Sequence, residues 1–321
     1  MRTLEATVLK MKGAPSARII TPAKPGLDFA AIRVGGGHLI VSADPITGVS
    51  SEIGYYAIKV GANDVATSGN RPQFAETVVL LPERSTAANV FRLAKQLDRA
   101  AREIGIAIVG GHTEVTPGLD RPVVVVTVFS FVKRFVTSRD AEAGDTIMMS
   151  KTAGLEGTAA LASEWRNRTS LPKGLLEVAR GFVRQLSVID EAVAAFQTDE
   201  VHAMHDCTEG GVLGAAYEMS SASGLGFEIA QASIPVAPET TRLCRDLHLD
   251  PLRLIGSGSL LLSVRNGGEE RVKHALRRIC QVTTIGKFTG DGRILVRSGG
   301  VRSRISTAPK DELWRVLGRR L

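Results

Sequence analysis

Three aspartates sit where a carboxylate could meet a ligand. Asp28 lies in Pro25-Gly26-Leu27-Asp28-Phe29-Ala30-Ala31, Asp44 closes the stretch Leu39-Ile40-Val41-Ser42-Ala43, and Asp64 lies in Val60-Gly61-Ala62-Asn63-Asp64-Val65-Ala66. A carboxylate just beyond a strand end stands at the rim of a sheet, where ligands bind. Several carboxylates converging there repel one another unless a cation lies between them. Oxygen ligands of this kind suit Mg²⁺, usually shared with nucleotide phosphates. Taken singly, each aspartate is equally compatible with a turn or a helix cap.

Paired glycines mark two further clusters. In Ile108-Val109-Gly110-Gly111-His112-Thr113-Glu114-Val115 a strand runs into two glycines and a polar triplet. Glycines let backbone N–H groups approach phosphate closely. His112 could donate a hydrogen bond, and Glu114 could bind metal or orient water. An ordinary turn with a solvated His and Glu fits this cluster as well. In His205-Asp206-Cys207-Thr208-Glu209-Gly210-Gly211-Val212 a strand turns into a helix, whose free N–H donors favour anions. His205 and Asp206 are candidate site residues. Cys207 is either a nucleophile, if the helix start lowers its pKa, or a small buried residue, and the second reading is favoured. Lys151-Thr152-Ala153-Gly154-Leu155-Glu156-Gly157-Thr158 reads as a glycine-punctuated loop after a strand, in the wrong order for a P-loop. Gly35-Gly36-Gly37 reads as a hairpin turn, and Ile255-Gly256-Ser257-Gly258-Ser259 as a close backbone approach or a turn at a strand start.

The elements that would position these residues follow from hydrophobic period. Strands are expected at 38–43, 74–81, 106–109, 123–132, 146–150, 226–230, 259–264 and 294–297. Val123–Phe129 is apolar on both faces, as in a fully buried strand. Val90, Ala94, Leu97, Ala101 and Ile104 make 86–104 an amphipathic helix. Val212, Ala215, Ala216 and Met219 mark a second helix, and Val272, Leu276 and Ile279 a third. The polar stretch Val136–Gly144 divides two α+β halves, 1–138 and 139–321.

Composition narrows the class. The 321 residues are 44% hydrophobic and 23% charged, enough apolar material for a substantial core. No window approaches a membrane span, and Met1–Ala6 lacks the apolar core of a secretory signal, so a cytoplasmic protein is expected. Cys207, Cys244 and Cys280 are too dispersed for a structural zinc site or a disulfide framework. The net charge of +7 is concentrated in 265–321, where 14 Lys/Arg face 5 Asp/Glu. Apolar residues interrupt these charges, and aromatics make up only 5% of the chain, so a solvated face is favoured over a nucleic-acid surface.

Together and in this order, the clusters resemble the aminoimidazole-ribonucleotide (AIR) synthase superfamily. This includes the hydrogenase-maturation carbamoyl dehydratase (HypE type), selenophosphate synthetase, thiamine-monophosphate kinase and formylglycinamidine synthase. The resemblance spans nearly the whole chain. Gly26–Ala31 resembles the family's G-D-D-A-A, and Ser42-Ala43-Asp44 its T-T-D. Asn63-Asp64-Val65-Ala66 with Gly69, Arg71 and Pro72 resembles N-D-L-A-x-x-G-A-x-P, with Leu81-Pro82-Glu83 following. Gly110–Thr113 resembles G-G-D-T or G-G-E-T, and His205–Val212 the dehydratase's H-D-P-T-R-G-G-L.

The resemblance implies a two-domain α/β (α+β) fold whose N-terminal strands pair with a second subunit as a homodimer. It implies ATP and Mg²⁺ as cofactors, phosphorylation of an amide- or carbonyl-type oxygen on an unidentified acceptor, and maturation proteins as further partners. Asp28, Asp44 and Asp64 become the Mg²⁺ ligands. Asp64, His112, Glu114, His205 and Asp206 are the catalytic candidates. Asn63, Gly110, Gly111, Thr113, Gly154, Gly157, Gly210 and Gly211 are the nucleotide contacts. The chain departs from the pattern at Leu27, at His112 in place of a carboxylate, at Cys207 in place of proline and at Glu209 in place of arginine. Its end, Leu317-Gly318-Arg319-Arg320-Leu321, lacks the cysteine on which the dehydratase works, so that self-modifying reaction is not expected in that form. An N-terminal Cys-plus-Lys pair like that of selenophosphate synthetase is also absent. The alternatives are a small-molecule kinase like thiamine-monophosphate kinase and a non-catalytic nucleotide-binding scaffold.

Overall fold

The computed structural model describes residues 6–49, 51–164 and 169–317; the expectations placed on Met1–Glu5 and on the residues after Leu317 lie outside them. Two sheets organise the chain. The first contains β1 (Ala30–Val34), β2 (Gly37–Ile46), β3 (Phe74–Leu81), β4 (Ala107–Val115) and β5 (Val123–Val132), in the order β1-β2-β5-β3-β4. β1 and β2 form the hairpin expected from the glycine run, with Gly35 at φ +55° in its turn. β3 and β4 are parallel and are linked through α2 (Ala87–Ile104), as a parallel pair requires a crossover. α2 starts at a Thr86–Asn89 capping box and stops at Gly105, whose φ of +72° ends the helix.

α1 (Ile53–Ala66) carries apolar and small residues around its whole circumference, and every residue of it is buried. It packs on β2, β5 and α2, and reaches β7 of the second sheet. Gly54 allows the close approach of α2, since a Cβ there would lie 2.9 Å from the Leu93 carbonyl oxygen.

The second sheet runs β12-β11-β8-β10-β6-β9-β7. Its strands are β6 (Thr146–Ser150), β7 (Val201–Asp206), β8 (Gly226–Ala230), β9 (Leu260–Val264), β10 (Val282–Thr289), β11 (Arg293–Val296) and β12 (Arg302–Arg304). The helices of this half are α3 (Leu155–Glu164), α4 (Lys173–Gly181), α5 (Ile189–Phe196), α6 (Gly211–Ser223), α7 (Pro238–Leu247), α8 (Glu269–Leu276) and α9 (Glu312–Leu317). One apolar cluster joins the halves: Ile58 and Val126 belong to the same core as Met148, Leu186, Met204 and Leu262.

Several local expectations need correction. Residues 110–114 are not a turn: β4 continues to Val115, because its pairing with β3 resumes at Glu76–Gly110 after a bulge. The segment 151–158 is not all loop, since α3 begins at Leu155 and contains Gly157. Asp44 does not end its strand, which runs on to Ile46. Asp64 stands on a helix rather than beyond a strand end. The apolar run of β5 is buried on one face only. Val124, Val126 and Val128 lie under α1, while Val125 and Phe129 are half-buried and Phe131 is exposed. That outer face also carries Val78 and Leu80 of β3, beside an edge strand β4 that is exposed along its whole length.

Candidate functional site

A cleft of about 570 Å³ opens between the two halves. Period-two alternation on β2 turns Ser42 and Asp44 to the face that meets α1. There the Ser42 hydroxyl donates to Asp64 Oδ2 at 2.6 Å. Asp28 enters from the segment before β1. His205 and Asp206 end β7 opposite it. The ligand atoms of Asp28, His205 and Asp206 lie within 4.8 Å of one another.

The electrostatics are unbalanced. Seven carboxylates line the cleft, with His205 as the single cationic candidate and no Lys or Arg among the described residues. Burial pushes Asp28 up to about 6 despite the nearby imidazole. Burial, then Asp44, Asp206 and Asp28, push Asp64 well above the usual carboxylate range. Asp206 is also raised well above it, by burial and by Asp28. Burial alone would lower His205, but Asp28, Glu218 and Asp206 raise it to about 10, so it is an imidazolium at neutral pH. Its Nδ1 donates to the Asp206 carbonyl at 2.7 Å. Its Nε2 lies 3.1 Å from Asp28 Oδ1 and 3.3 Å from Glu218 Oε2, held by charge rather than by an aligned hydrogen bond.

Asp28 Oδ2 and both carboxylate oxygens of Asp206 are buried without a hydrogen-bond partner. A buried carboxylate oxygen left unpaired costs the full desolvation of its charge. Oxygens of this kind suit a hard divalent cation that keeps several of its own waters. The donor set fits Mg²⁺, with Asp206 added to the expected Asp28, Asp44 and Asp64.

Other expected residues lie elsewhere. His112, Thr113 and Glu114 stand on β4, at the opposite edge of the sheet from β1 and outside the cleft; His112 Nε2 pairs with Glu114 Oε2 at 3.1 Å on the surface. Gly110 and Gly111 serve strand pairing in this chain: a Cβ on Gly111, at φ +152°, would fall 1.9 Å from the Thr77 carbonyl oxygen. Asn63 is no cleft residue. Its amide donates to the Leu186 carbonyl at 2.7 Å and accepts from the Val188 N–H at 2.9 Å, fastening α1 to the second half.

Gly154, Gly157, Gly210 and Gly211 likewise lie outside the cleft lining. The N–H of Gly157 is committed to Ile255, that of Gly210 to Asp311 and that of Gly211 to Thr208, so none of these three is free to cradle a phosphate. A Cβ on Gly157 would collide with Leu254, and one on Gly211 with the Leu254 carbonyl. Cys207 is fully buried in the apolar core, and burial pushes its thiol well up, as expected of a packing residue.

Sequence reasoning missed Glu156, Glu218, Ser257 and Trp314, which line the cleft. Glu156 carried a signal, as the only charge in the otherwise apolar run Leu155–Ala162. Trp314 carried none, because only the chain's path brings α9 to the cleft.

Residues 26–132 match the family model for the N-terminal domain of AIR synthase related proteins, and residues 142–298 match the model for the C-terminal domain. The carbamoyl dehydratase HypE of Escherichia coli is 28% identical over 260 residues, covering 78% of this chain and 75% of that protein. The fold is shared with solved structures. A hydrogenase maturation protein HypE in complex with ATP superposes with a TM-score of 0.70 at 22% identity, over 96% of this chain and 95% of that one. The thiamine monophosphate kinase of Aquifex aeolicus superposes at 0.73 with 20% identity, over 94% and 97%. Among the described residues, no helix is long and apolar enough to cross a membrane. With both domain models matched in order around one shared cleft, the chain belongs to the AIR synthase related protein family.

Proposed function

We propose that this chain is a Mg²⁺- and ATP-dependent enzyme of the HypE type, which phosphorylates an amide- or carbonyl-type oxygen of an acceptor. The γ-phosphoryl group passes to that oxygen with ADP leaving, and attack or elimination at the activated carbon then expels phosphate. The observation that carries this reading is the set of buried carboxylate oxygens without partners on Asp28 and Asp206, facing Asp64 across the cleft. Asp28, Asp44, Asp64 and Asp206 are the residues that would hold Mg²⁺, which when bound neutralises phosphate charge. Ser42 orients Asp64 through its hydroxyl. His205 holds a proton at Nε2 between Asp28 and Glu218 and fixes Asp28 in place.

The half-exposed outer face of the first sheet supports a homodimer, with Phe131 and Val125 against a second copy. A role for His112, Thr113 and Glu114 at the nucleotide requires that second protomer. Sedimentation of Phe131→Asp is expected to show monomer where the wild type shows dimer.

The direct test is calorimetric titration of ATP with and without Mg²⁺, on wild type and on Asp64→Asn. Mg²⁺-dependent binding lost in the variant is the expected result; equal binding by both overturns the assignment. Phosphorus NMR of the turnover products then separates free phosphate, expected here, from the stable phosphorylated product of a small-molecule kinase.

A further inference from the structure

The wall of the cleft formed by the second half and α9 differs in chemistry from the aspartate wall. It is built from Glu156 on α3, Glu209 in the turn before α6, Ile255, Ser257 and Trp314 on α9. Glu156 is buried, and its Oε2 has no hydrogen-bond partner; neither has the hydroxyl of Ser257, which is fully buried. Glu209 is exposed at the mouth and accepts the Trp314 indole N–H at 3.1 Å through one oxygen. The indole also reaches the first half: a Cβ on Gly48 would lie 3.9 Å from its ring. Trp314 therefore bridges the mouth of the cleft.

Two features decide what this wall takes. It carries negative charge in a cleft with no Lys or Arg among the described residues. Its two carboxylates come from different elements, α3 and the turn before α6, and lie outside the cluster of Asp28, His205 and Asp206. Two carboxylates beside an aromatic ring, with no Lys or Arg among the cleft's described residues, match an organic cation. An ammonium group pairs with carboxylates and is attracted to an indole face.

We propose that Glu156, Glu209 and Trp314 bind the ammonium group of a small organic acceptor, so that the substrate class is an amide or carbonyl compound bearing a positive charge. This rests on the reading that the aspartate wall holds Mg²⁺ and ATP. The titration of Glu156 agrees with it. Burial first, then Asp311, Glu209 and Asp44, raise this carboxyl to about 7. Affinity for an ammonium ligand should then rise as pH passes 7, until the amine itself loses its proton.

The test compares alaninamide, which carries an ammonium group, with lactamide, which has a hydroxyl in its place. Both are titrated calorimetrically into the full chain at neutral pH, with and without Mg²⁺ and a non-hydrolysable ATP analogue. Alaninamide is expected to bind roughly tenfold tighter, the size of one charge-assisted contact. The preference should vanish in Glu209→Gln and turn against alaninamide in Glu209→Lys. Glu209 is exposed, so neither substitution disturbs the core. Equal affinities in the wild type, undetectable alaninamide binding, or a preference that survives both Glu209→Gln and Glu156→Gln overturns the proposal. Displacement of alaninamide by Mg²⁺ alone, at these glutamates, also overturns it. Discrimination that persists in a protein unable to bind the nucleotide analogue removes the nucleotide reading and keeps the cation site; nucleotide binding without discrimination does the reverse.

Discussion

Two groups of charge lie in the seam between the halves of this molecule, and they are built in opposite ways. On one side, the Lys151 ammonium meets Glu191 at 2.5 Å and donates to the carbonyls of Ser187 at 2.6 Å and Gly258 at 2.8 Å. Nearby, Glu103 takes Tyr55, Lys59 and Arg99 together; burial would raise it, but these three partners hold it down to about 2. Each of these ions has its counter-ion and hydrogen bonds; Lys151, Glu191 and Lys59 are largely buried, and Glu103 is exposed. On the other side, the cleft gathers seven carboxylates around one imidazolium and leaves the oxygens of Asp206 without partners. Residue type alone does not separate the two sides, since both are acidic and basic groups in an apolar seam. Satisfaction does: a paired buried charge holds the fold together, whereas an unpaired one awaits a ligand.

The sharpest way to break this contrast is substitution on both sides. Asp206→Asn should abolish Mg²⁺-dependent ATP binding, by a factor of about 100 or more, and should leave the metal-free protein at least as stable, because it removes repulsion. Loss of stability without loss of binding would erase the distinction. Lys151→Met should do the opposite. Stranding Glu191 should cost about 3–5 kcal/mol, read by denaturant unfolding, with part recovered in the double variant Lys151→Met/Glu191→Gln.

A smaller effect is expected from Asn63→Ala. It unpairs the Leu186 carbonyl and the Val188 N–H, at about 1–3 kcal/mol, and ATP affinity of the folded protein should hold. A large affinity loss would return Asn63 to the nucleotide site. The most diffuse effect is that of pH, shared among several buried groups. Asp28 and Glu156 have folded-state pKa values raised to about 6 and about 7. Between their unfolded values near 4 and these, the native state binds more protons than the unfolded state, so stability falls as pH rises through that window. Metal-free protein should therefore unfold at lower denaturant at pH 8 than at pH 5, and Mg²⁺ should reduce the difference. A rise in stability with pH would contradict the raised values.

Much of the frame was legible in the sequence. The strands 74–81, 123–132, 146–150 and 226–230 have the bounds expected from apolar period, and the helix expected at 86–104 runs from Ala87 to Ile104. The hairpin at Gly35-Gly36 and the gathering of Asp28, Asp44, Asp64, His205 and Asp206 at one cleft were also within reach. α1 was not, because a helix buried on every side has no polar face to betray its period.

The glycine pairs show most clearly where sequence stops. A glycine beside a strand end reads the same whether it admits a phosphate or a neighbouring backbone. The choice was made by Thr77 against Gly111 and by Leu254 against Gly157, which are remote in sequence. The sequence by itself determined the family, the two α/β halves and the acidic residues that are candidates for a site, because these depend on residue type and local period. Only the tertiary structure decided which of those residues meet. Whether a buried charge is paired, as at Lys151, or left open, as at Asp206 and Glu156, depends on what the rest of the chain brings within about 3 Å of it.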